Sequence, residues 1–599
     1  MKYLERPLAC SDRARFRPGI ECVRLCRIFT LAALFVAATL TARPASAQDS
    51  TTETAEHIRG AVVNSVTRQP IYRALVSSPD NRFATMTDEE GRFEFTLPRA
   101  AAGTDNAAAA IDYRPTALFA RKPGFLTDNS SQGLPSSDQP LTIMLVPEAV
   151  IVGKVTLPNS DAPDSIFLQI YRRQVQDGTA RWFPAGGTQS RSDGEFRFAD
   201  LPAGIYKLLT RELLDRDPAS FDPQGPQYGY PPVYGQNAPD FDSAGTIYVS
   251  AGMTGVANLS LTKKPYYRVR IPVANVPSDT GINVSVSAAG HKGPGFSLGY
   301  NNRDQVIEGM LPDGSYTIEA AGYSAGQNTG TGSLTIAVNG AAVRGPAMTL
   351  APNSPIRVDV KEEFTSADNT GTITLNSGRR SVTLRGPRRY LNVILEPADD
   401  SERGGAASLR SPTGPGDEAL AIESTRPGRY WVRVITSRGY VASVRSGNID
   451  LRYEPLVVPA GGSTSPIEIT MRDDTAEIDG TVEGITPPAP SLNPLATNGG
   501  GSSFSGPVAM PPPAAHIYFL PLADGGGQYS EAWVSADGSF NSPPLAPGAY
   551  RVLAFDRPQS DIEYRNPEAA RAYETKGPAV RIAGGQKEHV RLQLISLNE

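Results

Sequence analysis

The segment SDGEFRFADLPAGIYKL, residues 192–208, contains a turn, a strand, a second turn and the start of a second strand, and versions of it recur along the chain. Asp193-Gly194 is a hairpin signal, since glycine accepts the positive φ that such turns need. Glu195-Phe196-Arg197-Phe198 alternates polar and apolar residues, the pattern of a strand with one buried face. Leu201-Pro202-Ala203-Gly204 breaks that strand, and Ile205-Tyr206-Lys207-Leu208 begins another. TDEEGRFEFTLP (87–98) repeats the first half. MLPDGSYTIEA (310–320) and STRPGRYWVRVI (424–435) repeat the second, and SADGSFNSPPLAPGAYRVLAFD (535–556) has both. A tyrosine follows the Pro/Gly turn each time, as Tyr206, Tyr316, Tyr430 and Tyr550. In β-sandwiches a tyrosine at the start of a late strand often hydrogen-bonds back across the preceding corner. All four are expected to serve stability.

A second recurrence marks joints. LTIMLVPEAVIVGKV (141–155), LSLTKKPYYRVRI (259–271), MTLAPNSPIRVDV (348–360) and IEITMRDDTAEIDGTV (467–482) each read as two strands separated by a short break. Each fits the last strand of one domain feeding the first strand of the next. The expected fold is therefore all-β: about five Ig-like or transthyretin-like sandwiches in tandem, at roughly 55–147, 149–262, 265–351, 354–472 and 475–598. The short links predict a semi-rigid rod. The period is too long for a solenoid, so each unit must bury its own core. Only NPEAARAYETK (566–576) has helix-forming composition, enough for one short loop helix. The Pro/Gly/Ser/Ala-rich stretch 487–515 is expected to be a disordered insertion in the last domain. An Ala-rich insert (Ala100–Ala110) interrupts the first.

The N-terminus reads as a signal peptide, residues 1–47. A basic region precedes the apolar run IFTLAALFVAATL (28–40), and Ala45 and Ala47 fit the small-residue rule for cleavage before Gln48. Thirteen apolar residues are short for a bilayer span. Export without a transmembrane anchor is expected, to the periplasm, the cell surface or the medium. All three cysteines (Cys10, Cys22, Cys26) fall in this leader. Beyond it stand 49 basic and 59 acidic residues, a net charge of −10, which argues against nucleic acid as a partner.

IRGAVVNSVTRQPIYRALVSS…TMTDEEGRFEFTLP (58–98) resembles a carboxypeptidase regulatory-like domain. The resemblance rests on a Gly-x-Val first strand (Gly60–Val62), Ala74-Leu75-Val76, and Thr87-Asp88…Gly91-Arg92-Phe93. The second and fifth domains are similar more loosely, through Gly153-Lys154-Val155 and Gly480-Thr481-Val482. The third and fourth keep only the corner tyrosine and the end strands. Residues 231–261 and 563–595 are also similar to multidomain exported proteins with such domains, common in acidobacteria. The resemblance covers about half the chain. It implies a small transthyretin-like or starch-binding-like β-sandwich in an accessory role, and no catalytic residue.

Chemistry is sparse. His57, His291, His516 and His589 form no ligand-spaced pair, and a zinc site needs three or four converging ligands; no metal and no cofactor is expected. Gly295-Phe296-Ser297-Leu298-Gly299 matches the Gly-x-Ser-x-Gly of a nucleophile elbow, with His291 nearby. That elbow requires a helix after the serine, and the following Tyr300-Asn301-Asn302-Arg303-Asp304 does not read as one. Asp215, Asp217, Asp222, Asp240 and Asp242 crowd one long loop without the ordered spacing of a calcium site. The same loop holds Tyr228, Tyr230 and Tyr234 among prolines, with Phe221 nearby. Trp182 lies on the strand leading to the Asp193-Gly194 turn. These four, Trp182, Tyr228, Tyr230 and Tyr234, are the candidate ligand-binding residues, as an aromatic platform. The alternative is that the tyrosines pack down to pin the loop. Trp533 stands in a similar place to Trp182, which suggests that both serve the core; Trp431 reads as packing too. The leading function is a non-enzymatic exported binding or structural protein of the cell envelope, with a glycan or an envelope protein as partner. A carbohydrate-binding array, an accessory subunit of a peptidase or outer-membrane transporter, and a hydrolase using Ser297 stand as alternatives.

Overall fold

The computed structural model describes residues 56–596, apart from internal stretches of which the longer are 98–114, 134–139, 158–164, 216–225, 367–372, 399–405, 412–418 and 486–514. The leader, the Ala-rich insert and all but the last residue of the 487–515 insertion lie outside the described residues. Nearly every regular element described is a β-strand. The helix expected near 566–576 spans Pro567–Arg571, with the Asn566 side chain capping the Glu568 N–H.

Five large hydrophobic clusters follow one another along the chain, spanning Ile58–Leu145, Ala149–Leu261, Val269–Leu350, Ile356–Met471 and Ala476–Leu592. The first four each lie between two sheets, and the fifth lies inside one seven-stranded sheet folded over itself. The architecture is a series of tandem β-sandwiches. The first strand of each unit, Glu56–Asn64, Ala149–Thr156, Lys264–Ala274, Ile356–Glu363 or Glu477–Glu483, pairs parallel with that unit's last strands. On its other side it pairs antiparallel with a strand from inside the same unit. Links of a few residues, 146–148, 261–263, 350–355 and 473–476, then carry the chain into the next unit.

In the first, second and fifth sandwiches the Gly-x-Val and Gly-x-Phe motifs meet. Gly60 is paired with Phe93, Gly153 with Phe196 and Gly480 with Phe540. The phenylalanine ring lies over the bare glycine, and a neighbouring backbone closes the other side. A Cβ on Gly153 would stand 1.7 Å from the Ala257 carbonyl oxygen and 2.6 Å from the Phe196 ring. On Gly480 it would stand 2.0 Å from the Val590 oxygen, and on Gly60 2.3 Å from the Leu141 oxygen. The valine two residues on donates its N–H to the turn glycine: Val62 to Gly91 (2.7 Å), Val155 to Gly194 (2.8 Å) and Val482 to Gly538 (2.9 Å). Those three turn glycines have φ of 71°, 82° and 82°, where a side chain is strained.

The corner tyrosines behave as the sequence predicts. Each hydroxyl donates to the carbonyl four residues earlier: Tyr206 to Pro202 (2.6 Å), Tyr316 to Pro312 (2.9 Å), Tyr430 to Arg426 (3.0 Å) and Tyr550 to Ala546 (2.6 Å). All four rings are buried, so each couples a strand start to the turn before it while filling the core.

The expected rod is corrected. Residues of the second sandwich contact residues nearly 390 positions later in the fifth, so the described chain folds back on itself. Short links fix how closely neighbours follow, but not the angle between them.

The Gly153→Ala variant is expected to destabilise the second sandwich by about 1–3 kcal/mol, because backbone must move to admit the methyl group. Hydrogen exchange in strand Ala149–Thr156 measures it; unchanged protection there would show that the glycine contact does not constrain the fold.

Candidate functional site

The long loop of the second sandwich carries three of the four aromatic candidates, and they do not form one platform. Gln227–Tyr230 is a strand that pairs antiparallel with the first strand of the third sandwich, Gln227 opposite Tyr266 and Tyr228 opposite Pro265. Gly229 permits this close approach, since a Cβ there would stand 2.9 Å from the Leu213 oxygen and 3.0 Å from the Tyr266 ring. Tyr228 is exposed, with the Lys263 ammonium 5.5 Å from its ring centre. Tyr230 is half-buried against the second core. Tyr234 is buried and donates its hydroxyl to the Pro294 carbonyl of the third sandwich (2.9 Å); burial pushes its phenol pKa up. Trp182 is half-buried beside Phe241, in an edge-to-face contact at 6.3 Å. The buried Lys207 ammonium sits 4.9 Å from both ring centres and donates to the Phe241 (2.8 Å) and Asp242 (3.0 Å) carbonyls. Trp182 and Tyr234 thus pin the loop, Tyr230 faces the core, and Tyr228 remains open. Phe221 lies outside the described residues.

Trp533 corrects the core reading. It is 64% exposed on strand Ser530–Trp533. Its neighbours Ala532 and Val534 turn inward, so strand alternation sends Trp533 out.

The Gly-x-Ser-x-Gly stretch belongs to the joint between the second and third sandwiches. Ser297 precedes strand Gly299–Asn301, not a helix. Its N–H and hydroxyl both donate to Glu212 Oε1, at 2.7 and 2.5 Å. His291 is engaged elsewhere, Nδ1 to Asp240 Oδ2 at 2.7 Å. Glu212 Oε2 is buried without a hydrogen-bond partner in the protein, as is the Tyr266 hydroxyl. Desolvation raises the Glu212 carboxyl to about 7 against the opposing effects of Ser297 and the Arg211 charge. Among the described residues, no three His, Cys, Asp or Glu side chains converge as metal ligands. Asp215 pairs with Lys263 (2.6 Å) and Asp240 holds Ser243; Asp217 and Asp222 lie outside the described residues.

A second place was not anticipated. The hairpin Phe167–Gln176/Thr179–Gln189 turns at Asp177-Gly178, both with positive φ (49° and 73°), as a two-residue hairpin loop requires. Its tip reaches the fifth sandwich. Arg173 makes a double contact with Glu563 (2.5 and 2.8 Å). Asp177 accepts from the Tyr564 hydroxyl and from Arg565, both at 2.6 Å. The Tyr564 ring covers Gly178, where a Cβ would stand 2.6 Å from it. The same hairpin touches the fourth sandwich: the buried Glu396 lies 3.7 Å from Arg181, 3.4 Å from Arg433 and 3.3 Å from Gln176.

Beside this clasp lies a cleft of about 870 Å³. Strand Gly428–Thr436 lines it with Trp431, Arg433 and Ile435, while Tyr430, Val432 and Val434 turn into the fourth core. Tyr453 closes in from the same sandwich; Tyr529, Tyr564 and Tyr573 come from the fifth. The Asp-Gly turn signal was legible in the sequence. Its partners, hundreds of residues away, carry no local mark.

No family profile matches the chain, and no curated protein matches it. Solved structures similar to parts of it include the Bacillus anthracis TIE protein, at 10% identity over 74% of each chain with a TM-score of 0.13. GBS52, the minor pilin of Streptococcus agalactiae, is similar at 11% identity over 35% of this chain and 97% of that one, TM-score 0.15. A streptococcal ancillary pilin matches at 11% over 50% and 100%, TM-score 0.16. The chain's own sheets show its fold.

Two outcomes follow. Replacing Asp177 and Glu563 with alanine removes the carboxylates at the clasp. Hydrogen exchange is expected to speed up at 173–179 and 563–566 while the five cores stay protected; unchanged exchange would show that these pairs do not hold the contact. At the second joint, Glu212 has a raised pKa, so the folded state binds its proton more tightly than the unfolded chain. Stability should fall as pH rises from the ordinary carboxyl range through about 7. Glu212→Gln should flatten that decline in thermal unfolding, and an identical slope in the variant would assign the pH dependence to another group.

Proposed function

We propose that the chain is a non-enzymatic, exported binding or structural protein of the cell envelope, which holds surfaces of successive β-sandwiches in fixed relation for a partner. The observation that supports this reading is how the second sandwich spends its two longest excursions. Its loop adds a strand to the third sandwich, and its hairpin is clasped by the fourth and fifth. Four sandwiches are tied by contacts beyond their covalent links, an arrangement suited to presenting surfaces rather than to flexing. The carboxypeptidase regulatory-like resemblance remains our reading for the first, second and fifth sandwiches, supported by the contact of its hallmark glycine and phenylalanine in all three. Ser297 takes the part of a joint residue, its hydroxyl bound to Glu212.

The purified chain is expected to co-sediment with a cell-envelope fraction and to leave p-nitrophenyl esters intact. Ester hydrolysis that disappears in Ser297→Ala would overturn the non-enzymatic reading, and failure to co-sediment would overturn the envelope role.

A further inference from the structure

We propose that the cleft beside the clasp, between the fourth and fifth sandwiches, binds a neutral oligosaccharide. This rests on the binding reading above and names its site and ligand class. The cleft's volume of about 870 Å³ falls in the range of ligand pockets, and it lies at a domain junction, where such sites occur.

Its aromatic side chains are set before any ligand arrives. Arg565 lies 5.8 Å from the Trp431 ring centre, and Arg452 5.3 Å from that of Tyr453. Tyr564 stacks on Tyr529 at 5.1 Å with the planes 5° apart. Rings held this way lose little freedom on binding. Tyr453 is 52% exposed and Ile435 43%, so apolar surface remains open within the cleft. Trp431, Arg433 and Ile435 alternate along one strand face, a row of about 14 Å at 3.4 Å per residue. That length suits an extended ligand of several rings better than a single small one.

Polar groups stand between the rings. Arg433 donates, Glu574 accepts and Ser530 does both, while Gln528 and Thr436 at the edges already hold the Val441 and Arg438 carbonyls. A ligand matched to this surface has flat apolar faces bordered by groups that donate and accept together, which describes a sugar ring and its hydroxyls. The charges favour a neutral ligand. Arg433 is answered by Glu396, Arg452 by Asp450 and Arg565 by Asp177. Arg551 donates to the Glu574 and Gly577 carbonyls. Three of the four guanidinium groups are thus paired with carboxylates and Arg551 is turned to backbone, which leaves little net attraction for anions.

The test uses the whole purified chain and hexasaccharides of β-1,4-glucose, α-1,4-glucose and β-1,4-N-acetylglucosamine, with hexagalacturonate and a decaproline peptide alongside, by calorimetry. At least one neutral hexasaccharide is expected to bind. Tyr453→Ala and Ile435→Asp, both at exposed positions and checked for unchanged thermal unfolding, should each weaken it at least ten-fold, and Tyr228→Ala should not. Loss of binding in Tyr228→Ala alone would move the site to the loop and overturn the cleft. Preference for hexagalacturonate or for decaproline would overturn the ligand class. Binding of none, in a chain that still co-sediments with envelope, would overturn this proposal and leave the function reading standing.

Discussion

Each sandwich is closed by its own two ends. The first strand lies between the last strand, which it meets in parallel, and an antiparallel partner from inside the unit. A parallel pair cannot be made by a tight turn; here the rest of the unit forms the crossover between the two strands. Closure therefore requires the whole unit. In three units it is drawn tight by a glycine under a phenylalanine ring, with the last-strand segment packed close on the other side. Because the last strand runs parallel to the first, the chain leaves a unit at the end opposite its entry, where a few residues reach the next first strand.

That geometry governs what lies outside the cores. A hairpin or loop longer than its own sheet needs has neighbours within reach on several sides. The Asp177-Gly178 tip lies against Tyr564, and the Gln227–Tyr230 strand against Tyr266. Both contacts use glycine where the partner's ring presses closest. The aromatic residues divide accordingly. Tyr234 and Trp182 are committed to pinning the loop, while Tyr453 and Trp431 border a space that no single unit encloses.

The sequence was informative wherever the determining partner is near in the chain. Asp-Gly turns, alternating strands and the corner tyrosines depend on residues two to four positions away, and the corner hydrogen bonds fall where the motif places them. The Gly-x-Val and Gly-x-Phe motifs were legible as motifs, but their contact with each other was not. Trp533 could have been read correctly, since Ala532 and Val534 alternate with it; likeness of position to Trp182 was the weaker signal. The clasp could not have been read. Arg173 and Glu563 are ordinary surface residues in their own neighbourhoods, and only the angles between sandwiches bring them together. The cleft is assembled from the same distant pieces, so it leaves no local cluster in the sequence as the loop tyrosines do.

Two kinds of interaction therefore sit in one chain. The cores are apolar and local: Tyr206, Tyr550, Phe519 and Ile517 are buried to 1% exposure or less, and opening any of them costs a whole unit. The clasp is polar and distant, made of charged pairs that keep partial contact with water, such as Arg173 with Glu563 and Arg565 with Asp177. Partly exposed pairs contribute modestly and weaken with salt, and cores do neither. Under stress the contacts between sandwiches should yield before the sandwiches do. Glu396 resists that order, because it is buried among Arg181, Arg433 and Gln176, where salt screens a charge pair far less. The fold-back is thus anchored at one buried carboxylate and trimmed by exposed pairs around it. The same carboxylate pairs with Arg433, which lines the cleft, so the group that resists opening also orients the side chain that a bound ligand would meet.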